Sequence, residues 1–299
     1  MRIGVDLGGT KIEVCVLDEQ GEEVYRHRVA TPQGNYAKTV LAIADLVEQA
    51  QSALNFSVTR IGIGTPGAVS QMNGLMKNAN STCLNDQALL EDLERALMCR
   101  VSMANDANCF ALSEAIDGAG QGVSVVFGVI LGTGVGGGIV VNGKVLTGRN
   151  AISGEWGHNP LPWPREEELP GPACYCGRTG CIETWLSGPG MEADYFHRTG
   201  QRLNAQQIVN KAHAGCEFAQ ACLTDYEDRL ARSLASVINI LDPDVIVLGG
   251  GLSNITRLYQ NVPKLWGRYV FSDEVNTQLL PASYGDSSGV RGAAWLVDG

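Results

Sequence analysis

The chain has 299 residues, of which 44% are hydrophobic and 18% charged, and its formal net charge is −10. This length suits two domains or one bilobal fold, and the composition excludes disorder as the default interpretation. The acidic balance argues against nucleic acid as the main partner, because a protein that holds a phosphate backbone usually presents a basic face.

The sequence shows no sign of export or membrane insertion. Met1 is followed at once by a strand-like run, not by a basic segment and a long apolar one. No apolar run reaches the roughly 18 residues that a membrane span needs. Nine cysteines without a secretory signal predict reduced thiols. We therefore expect a cytoplasmic protein without a membrane partner.

The N-terminal residues predict a meander of three antiparallel strands. Arg2 to Asp6 is a short apolar run, Lys11 to Leu17 alternates in hydrophobicity, and Glu23 to Val29 forms the third strand. Residues from Tyr36 to about Ala53 carry apolar side chains at helical spacing and predict an amphipathic helix. Arg60 to Gly64 is a further apolar strand.

Similar elements recur downstream. Val123 to Leu131 predicts a strong strand that ends in a glycine-rich turn, and Gly138 to Val141 predicts the strand after it. Asp228 to Leu241 is predicted to be helical, and Val245 to Leu248 is a buried strand before three glycines. The chain therefore predicts an α/β fold of two similar modules.

This repetition matches the duplicated actin-like ATPase (ribonuclease H-like) fold, which has two lobes and an inter-lobe cleft. We expect a smaller N-terminal lobe over residues 1–117 and a larger C-terminal lobe over residues 118–299. The final helix, about 288–297, is expected to pack back on the N-terminal lobe.

The turn after the first strand has the residue types that bind phosphate. Gly8 and Gly9 let the backbone approach a ligand, and the Thr10 hydroxyl and Lys11 ammonium can join the N–H groups around phosphate oxygens. Asp6 could hold magnesium through water. The alternative is a plain glycine-rich hairpin. A strand follows the turn, so it is neither a Walker A loop nor a Rossmann fingerprint.

Two further glycine turns extend this prediction. The second could clamp a polyphosphate, and the third could pack against a flat base or serve only for close packing. The candidate residues are Gly132, Thr133, Gly134, Gly136 and Gly137 in the second turn, and Gly249, Gly250 and Gly251 in the third.

A proline-rich stretch, about 151–187, contains a candidate metal site. Cys174, Cys176 and Cys181 lie close together, with His158 upstream. One histidine and three cysteines make a tetrahedral set typical of structural zinc, and four protein ligands leave no open position for catalysis. The alternative is a set of unrelated buried thiols.

Three acidic residues are candidates for the chemistry of a bound ligand. Asp106 follows Asn105 between a predicted strand and a predicted helix, so either residue could cap the helix, and Asp106 could also act as a general base. Glu155 and Glu183 flank the metal stretch and could accept hydrogen bonds from sugar hydroxyls. The alternative for both is a solvated surface charge.

Taken in order, the motifs of this chain resemble those of ROK proteins, which include sugar kinases. The matching segments are Asp6-Leu-Gly-Gly-Thr-Lys11, Asn105-Asp106, Ile130-Leu-Gly-Thr-Gly-Val-Gly-Gly-Gly138, Glu155-Trp-Gly-His158 and Cys174-Tyr-Cys-Gly-Arg-Thr-Gly-Cys-Ile-Glu183. The resemblance covers nearly the whole chain. The acidic insert from Arg165 to Leu169 matches least and is expected to be a flexible lid edge.

The resemblance implies roles for these residues. Asp106 would be the general base, the glycine turns would bind ATP with Mg²⁺, and His158 would ligate structural Zn²⁺ together with the three cysteines. It also implies a homodimer. The residues implied to bind the sugar are Asn105, Glu155, His158, Glu183, Gly67 and Asn80.

The segments Asn78–Thr82, Glu155–Trp163 and Gly285–Ala294 resemble the bacterial fructokinase (manno(fructo)kinase) branch. They imply fructose as the substrate, converted to fructose 6-phosphate, with mannose and glucose weaker. The alternative is an N-acetylglucosamine or N-acetylmannosamine kinase. The non-enzyme alternative is a sugar-sensing transcriptional regulator, which the first glycine motif at residue 6 and the acidic balance disfavour.

Overall fold

The computed structural model describes residues 1–298, and of Asp286 it describes the backbone alone. The chain forms two compact units. The first unit consists of Met1–Gly122, Gly138–Ser153 and the segment from Ser283 onward, and the second unit consists of Val123–Gly137 and Gly154–Ala282. The sequence predicts one boundary after residue 117, whereas the first unit also contains two later segments of the chain.

The chain contains both strands and helices. The strands are β1 (Arg2–Leu7), β2 (Lys11–Leu17), β3 (Glu23–Ala30), β4 (Arg60–Thr65), β5 (Ala68–Val69), β6 (Met76–Lys77), β7 (Arg100–Asn105), β8 (Val125–Leu131), β9 (Val135–Val141), β10 (Lys144–Val145), β11 (Val245–Gly249) and β12 (Gln278–Pro281). The α-helices are α1 (Tyr36–Leu54), α2 (Leu89–Leu97), α3 (Asp106–Ile116), α4 (Glu183–Leu186), α5 (Gly188–Thr199), α6 (Ala205–His213), α7 (Glu217–Leu241), α8 (Arg257–Trp266) and α9 (Ser288–Trp295). No helix within residues 1–298 is long and apolar enough to cross a membrane.

The first sheet has the strand order β3-β2-β1-β4-β7. β1, β2 and β3 pair antiparallel, which confirms the predicted meander, and β1, β4 and β7 are parallel. Ile3, Val5, Ile12 and Val14 have no exposed surface and belong to one hydrophobic core with Ile43 of α1. Burial of these aliphatic side chains is the main force that holds the sheet and α1 together.

The second sheet repeats this arrangement, with the order β10-β9-β8-β11-β12. β9 and β10 are antiparallel, and β8, β11 and β12 are parallel. Numbered along the chain within each sheet, both orders run third, second, first, fourth, fifth. The repetition confirms the predicted duplicated α/β fold, and it gives the glycine turns after β1 and β8 equivalent positions.

Helix α9 packs closely on the first sheet and on α3. A Cβ added at Gly62 would lie 1.7 Å from the carbonyl oxygen of Ala293, and one at Gly4 would lie 2.3 Å from the nitrogen of Ala294. On the other side, a Cβ at Gly292 would lie 1.7 Å from the carbonyl oxygen of Cys109. Only glycine permits these approaches, so the last helix is an integral part of the first unit.

Several element boundaries differ from the sequence predictions. α7 begins at Glu217 and not at Asp228, because Ala219, Cys222, Leu223 and Tyr226 continue its buried face at helical spacing. β9 begins at Val135 and not at Gly138. After β11, Gly251–Asn254 forms a 3₁₀ turn, and α8 begins at Arg257.

Candidate active site

The first glycine turn borders an open cavity in the first unit. The Gly8 N–H donates to the Lys11 carbonyl at 2.9 Å, which closes the turn between β1 and β2. Gly9, Thr10 and Asn80 line one cavity of about 330 Å³. Three of the predicted site residues thus meet at one place, although Asn80 is distant from the other two in the sequence.

Three carboxylates, those of Asp6, Glu13 and Asp106, influence one another close to this turn. Burial, the nearby Asp106 carboxylate and Glu13 raise the pKa of Asp6 to about 6, whereas Lys11 and Arg28 act in the opposite direction. Desolvation by the surrounding protein also raises the pKa of Asp106, although the residue as a whole keeps an exposed surface. Glu13 is 1% exposed and forms an ion pair with Arg28 at 2.6 Å. Carboxylates that burial and like charge make more basic are suited to accept a proton or bind a cation.

The start of α3 decides one question that the sequence left open. Asn105 is the helix cap, because its Oδ1 accepts from the Asn108 N–H at 2.8 Å. Asp106 is the first helical residue, and its Oδ1 accepts from the Ala107 N–H at 2.8 Å. The cap is therefore assigned to Asn105.

Gly67 and the loop before Asn80 fit directly against each other. Gly67 has φ +76°, and a Cβ there would lie 2.4 Å from the Lys77 carbonyl oxygen. The Asn85 carboxamide holds the backbone of Ala79 through hydrogen bonds of 2.9 and 3.0 Å. Asn85 was not predicted, because no local motif marks a side chain that braces a neighbouring loop.

A second, smaller cavity in the first unit was also missed. It measures about 80 Å³ and lies beside Asn105, and we call it the Asn108 cavity. Its lining residues are Thr65, Ala68, Val69, Gln71, Met103, Ala104, Asn105, Asn108, Thr147, Ala151 and Ser153. These residues come from several separate segments, so no single motif could have predicted the cavity.

In the second unit, the turn between β8 and β9 is tied to Glu183. The Glu183 Oε2 accepts from the Val135 N–H at 2.9 Å, and a Cβ at Gly134 would lie 2.7 Å from the same oxygen. One carboxylate oxygen of this predicted sugar ligand therefore holds the glycine turn in shape.

Gly136 and Gly137, which were predicted to belong to this turn, lie within strand β9. The Trp156 indole donates to the Gly136 carbonyl at 3.0 Å, and a Cβ at Gly137 would lie 2.8 Å from the Gly154 carbonyl oxygen. Close packing against the segment around Glu155 therefore accounts for these two glycines. Glu155 directly precedes the 3₁₀ turn Trp156–His158.

The third glycine turn separates two roles that the sequence could not distinguish. Gly250 has φ +79°, and a Cβ there would lie 2.5 Å from the Leu131 carbonyl oxygen, so it serves close packing after β11. Gly251 instead lines a cavity of about 490 Å³ with Gly132 and Thr133. The other lining residues, which were not predicted, are Gly188, Pro189, Glu192, Ala205, Gln206, Val209, Leu252, Asn254 and Ile255.

The predicted metal ligands converge within the second unit. The candidate ligand atoms of His158, Cys174, Cys176 and Cys181 all lie within 4.8 Å of one another. The Cys174 Sγ is 3.6 Å from the His158 Nδ1, and the Cys176 and Cys181 Sγ atoms are 3.6 Å apart. Zn–S and Zn–N bonds of about 2.0–2.3 Å in tetrahedral geometry give ligand separations in this range. The four side chains therefore fit a zinc ion.

Neighbouring groups change the pKa values of two cysteines of the cluster and orient its histidine. A backbone N–H of Arg178 lowers the pKa of Cys176, while burial and the neighbouring thiols raise the pKa of Cys181 to about 12. The Tyr175 hydroxyl lies 3.0 Å from the His158 Nε2, and the two rings meet edge to face. This contact leaves Nδ1 directed at Cys174, as a metal-binding histidine held through its other nitrogen requires.

The segment Arg165–Leu169, expected to be a flexible lid edge, is instead anchored. Glu168 is 3% exposed and pairs with Arg229 and Arg232 of α7, each at 2.8 Å. Burial alone would raise the pKa of Glu168, but hydrogen bonds from Arg232, the Arg165 backbone and Arg229 lower it to about 2. The expectation was wrong because a run of acidic residues does not reveal which member is buried.

Known proteins similar to this chain identify its family. The family model described as "ROK family" matches residues 2–299. An N-acetyl-D-glucosamine kinase of Yersinia pseudotuberculosis serotype O:1b (strain IP 31758) is 41% identical over 300 residues, which cover 99% of this chain and 98% of the relative. The crystal structure of a ROK hexokinase from Thermus thermophilus superposes with a TM-score of 0.88 at 32% identity, covering 100% of this chain and 99% of that one. A ROK family glucokinase from Streptomyces griseus, in complex with glucose and AMPPNP, gives 0.78 at 29% identity, with coverage of 100% and 99%.

Proposed function

Because this chain belongs to the ROK family and is a sugar kinase, we propose that it transfers the γ-phosphoryl group of ATP to N-acetyl-D-glucosamine. The observation that carries the proposal is the 41% identity to an N-acetyl-D-glucosamine kinase across almost the full length of both chains. The expectation of fructose, with mannose and glucose weaker, is not confirmed. The relatives favour the acetylated hexose that the sequence analysis kept as its alternative.

We assign the proton acceptor to Asp106. The sugar hydroxyl would lose its proton to this carboxylate as its oxygen attacks the γ-phosphorus and the bond to ADP breaks. We place the attack at the primary hydroxyl, which projects beyond the sugar ring. Desolvation by the surrounding protein raises the pKa of Asp106 and so makes its carboxylate a stronger base. Asn105, fixed as the cap of α3, is suited to hold the ring beside it.

The phosphates and the metal that accompanies them are assigned to the glycine turns and to Asp6. Mg²⁺, when bound with ATP, offsets the negative charge of the β- and γ-phosphates. The fit rests on the position of Asp6 near Asp106 and Glu13. Desolvation raises the pKa of Asp6 most and these two carboxylates raise it further, so a divalent cation would offset their repulsion. In the first unit, the exposed Gly9 and Thr10 are the candidate phosphate contacts.

In the second unit, the cavity lined by Gly132, Thr133 and Gly251 is our candidate for the nucleoside part of ATP. Its volume of about 490 Å³ and its largely uncharged walls suit a purine and ribose. Glu192 is the acidic side chain among its lining residues and could accept hydrogen bonds from ribose hydroxyls. Glu155, His158 and Glu183 remain candidates for contacts with the sugar.

We propose a structural role for zinc at His158 and the three cysteines, because four protein ligands leave no open coordination position. Metal analysis of purified protein should find about one zinc per chain, and Cys181→Ser should lower this value. The matched control is Cys216→Ser, a cysteine outside the cluster. Less than half an equivalent in the unmodified protein would contradict the assignment.

The compartment and the assembly also remain proposals. All nine cysteines are free thiols in the structure, which supports a reducing compartment such as the cytoplasm. The predicted homodimer can be tested by light scattering on the purified chain, where a mass of one chain would contradict it.

The substrate is tested by assaying ATP-dependent phosphorylation of N-acetylglucosamine, N-acetylmannosamine, glucose, mannose and fructose. We expect the highest kcat/KM with N-acetylglucosamine, and product analysis by NMR should place the phosphate on the primary hydroxyl. A higher kcat/KM with fructose or any unacetylated hexose would overturn the proposed substrate while leaving the kinase assignment intact.

A further inference from the structure

The segment after β3 holds the first glycine turn from outside. The Thr31 hydroxyl donates to the Gly8 carbonyl at 2.7 Å, and the Thr31 backbone N–H donates to the Thr10 carbonyl at 3.0 Å. The Gln33 side-chain amide adds a longer contact of 3.4 Å to the Gly9 carbonyl. Three successive carbonyl oxygens of the turn are therefore held by two residues, Thr31 and Gln33, which we call the carbonyl clamp.

The carbonyl clamp fixes the direction of two N–H groups of the turn. A trans peptide group is planar, and its C=O and N–H bonds point in opposite directions. A donor on the Gly8 carbonyl therefore directs the Gly9 N–H away from Thr31. In the same way, a donor on the Gly9 carbonyl directs the Thr10 N–H away from Gln33. In the part of the chain that the structure describes, no acceptor binds either N–H, so both are available for an anionic ligand.

The carbonyl clamp is itself anchored at the start of α1. Pro32 restricts the backbone of Thr31 to extended conformations. The Asn35 N–H donates to the Pro32 carbonyl at 3.1 Å, and the Asn35 side chain caps α1. The hydroxyl of Thr39, a buried residue, donates back to the Asn35 carbonyl at 3.0 Å. A helix of 19 residues therefore fixes the place from which the clamp reaches the turn.

We propose that Thr31 and Gln33 are positioning residues for ATP, because they orient the Gly9 and Thr10 N–H groups that bind its phosphates. This inference rests on the proposed function, which assigns the phosphates to the glycine turns, and it adds two residues that act through the first of them. The described lining of the cavity beside this turn contains no carboxylate that would repel a phosphate. Thr31 has the larger share, because 2.7 Å is a normal hydrogen-bond length whereas 3.4 Å is long.

The test measures KM for ATP and KM for the hexose that the unmodified enzyme uses best. Thr31→Val keeps the shape of the side chain and removes its hydroxyl. KM for ATP should rise about tenfold while KM for the hexose stays within about twofold, because only phosphate binding loses the effect of a hydrogen bond. Thr31→Ser keeps the hydroxyl and should restore KM for ATP to within about twofold of its original value. Gln33→Leu should raise KM for ATP about threefold.

The matched control is Thr277→Val. The Thr277 hydroxyl also donates to the carbonyl of a distant residue, Pro243, at 2.8 Å, and Thr277 is half-buried like Thr31. It belongs to the second unit and to none of the glycine turns. Its substitution should leave both KM values unchanged. Thermal unfolding establishes that each variant is folded, and Gln33→Leu, at an exposed site, provides the test if Thr31→Val does not fold.

The outcomes separate this inference from the proposed function. An unchanged KM for ATP in Thr31→Val would overturn the role of the clamp, and so would equal rises in both KM values or a rise in Thr31→Ser as large as in Thr31→Val. These results would leave the proposed function standing. A preference of the unmodified enzyme for another hexose would overturn the proposed substrate and leave the clamp intact, whereas an unmodified enzyme that does not use ATP would overturn both.

Discussion

Two carboxylates, Glu168 and Asp6, show how differently the two units use charge. Glu168 in the second unit is enclosed by Arg229 and Arg232, and its pKa falls to about 2. Asp6 in the first unit has acidic neighbours, and its pKa rises to about 6. Glu168 is buried and Asp6 half-buried, yet desolvation acts to raise the pKa of both, so the opposite directions come from their partners. A carboxylate whose charge is fully paired with arginines has a structural role. A carboxylate whose charge is not fully paired marks a place where a cationic ligand can supply the missing positive charge.

The strongest test of the first unit is Asp106→Asn. The carboxamide cannot take the proton of the sugar hydroxyl, so kcat should fall by about 10³-fold or more. Binding of N-acetylglucosamine, measured by calorimetry, should persist. The matched control is Asp45→Asn on α1, an exposed site where we expect an unchanged kcat. A loss below about tenfold, near 1.4 kcal/mol of barrier, would remove Asp106 as the base.

The corresponding test of the second unit is Glu168→Gln. Loss of the carboxylate removes one ion pair from each of two buried arginines, Arg229 and Arg232, which then keep only Asp194 and Asp228 as carboxylate partners. We expect the free energy of unfolding to fall by about 3 kcal/mol. Urea denaturation measures this change. Glu167→Gln, next along the chain but exposed, should change it by about 0.5 kcal/mol or less. Equal effects of the two variants would show that the buried network does not anchor this segment.

A smaller effect is expected at the zinc cluster. Tyr175→Phe removes the hydroxyl that contacts the His158 Nε2 and should weaken zinc binding about tenfold, measured by competition with a chelator. Tyr269→Phe, outside the cluster, is the matched control. An unchanged zinc affinity in Tyr175→Phe would mean that the hydroxyl does not orient the imidazole.

The smallest expected effect concerns pH. A raised pKa for Asp6 means that the folded state binds its proton more tightly, so this group lowers stability as pH rises from about 4 to about 6. The lowered pKa of Glu168 gives the opposite sign, with stability gained as pH rises from about 2 to about 4.5.

The free energy of unfolding, measured with urea across this pH range, tests both signs. Asp6→Asn should reduce its fall between about pH 4 and 6, and Glu168→Gln should reduce its rise between about pH 2 and 4.5. If the free energy of unfolding changed with pH between about 4 and 6 in the same way in Asp6→Asn and in the unmodified protein, the opposite roles of the two carboxylates would be contradicted.

The sequence predicts those features that depend on short spacings. Alternating hydrophobicity predicted the meander, and the spacing of Cys174, Cys176 and Cys181 predicted a cluster that the fold brings together with His158. The pairing of Glu168 with Arg232 could not be predicted, since α7 must first fold against a distant segment. The partner state of Asn108 also depends on the packing of several segments.

The tight packing of α9 on the first unit has a consequence for biosynthesis. The glycine surfaces of β1 and β4 that receive this helix are translated early, whereas the helix itself is translated near the end. Cys15, Leu17, Val290 and Ala294 form one small core that draws on both ends of the chain. The surface of the early strands therefore stays uncovered until α9 has left the ribosome. Nascent chains halted upstream of α9 should for this reason be substrates for chaperones and proteases.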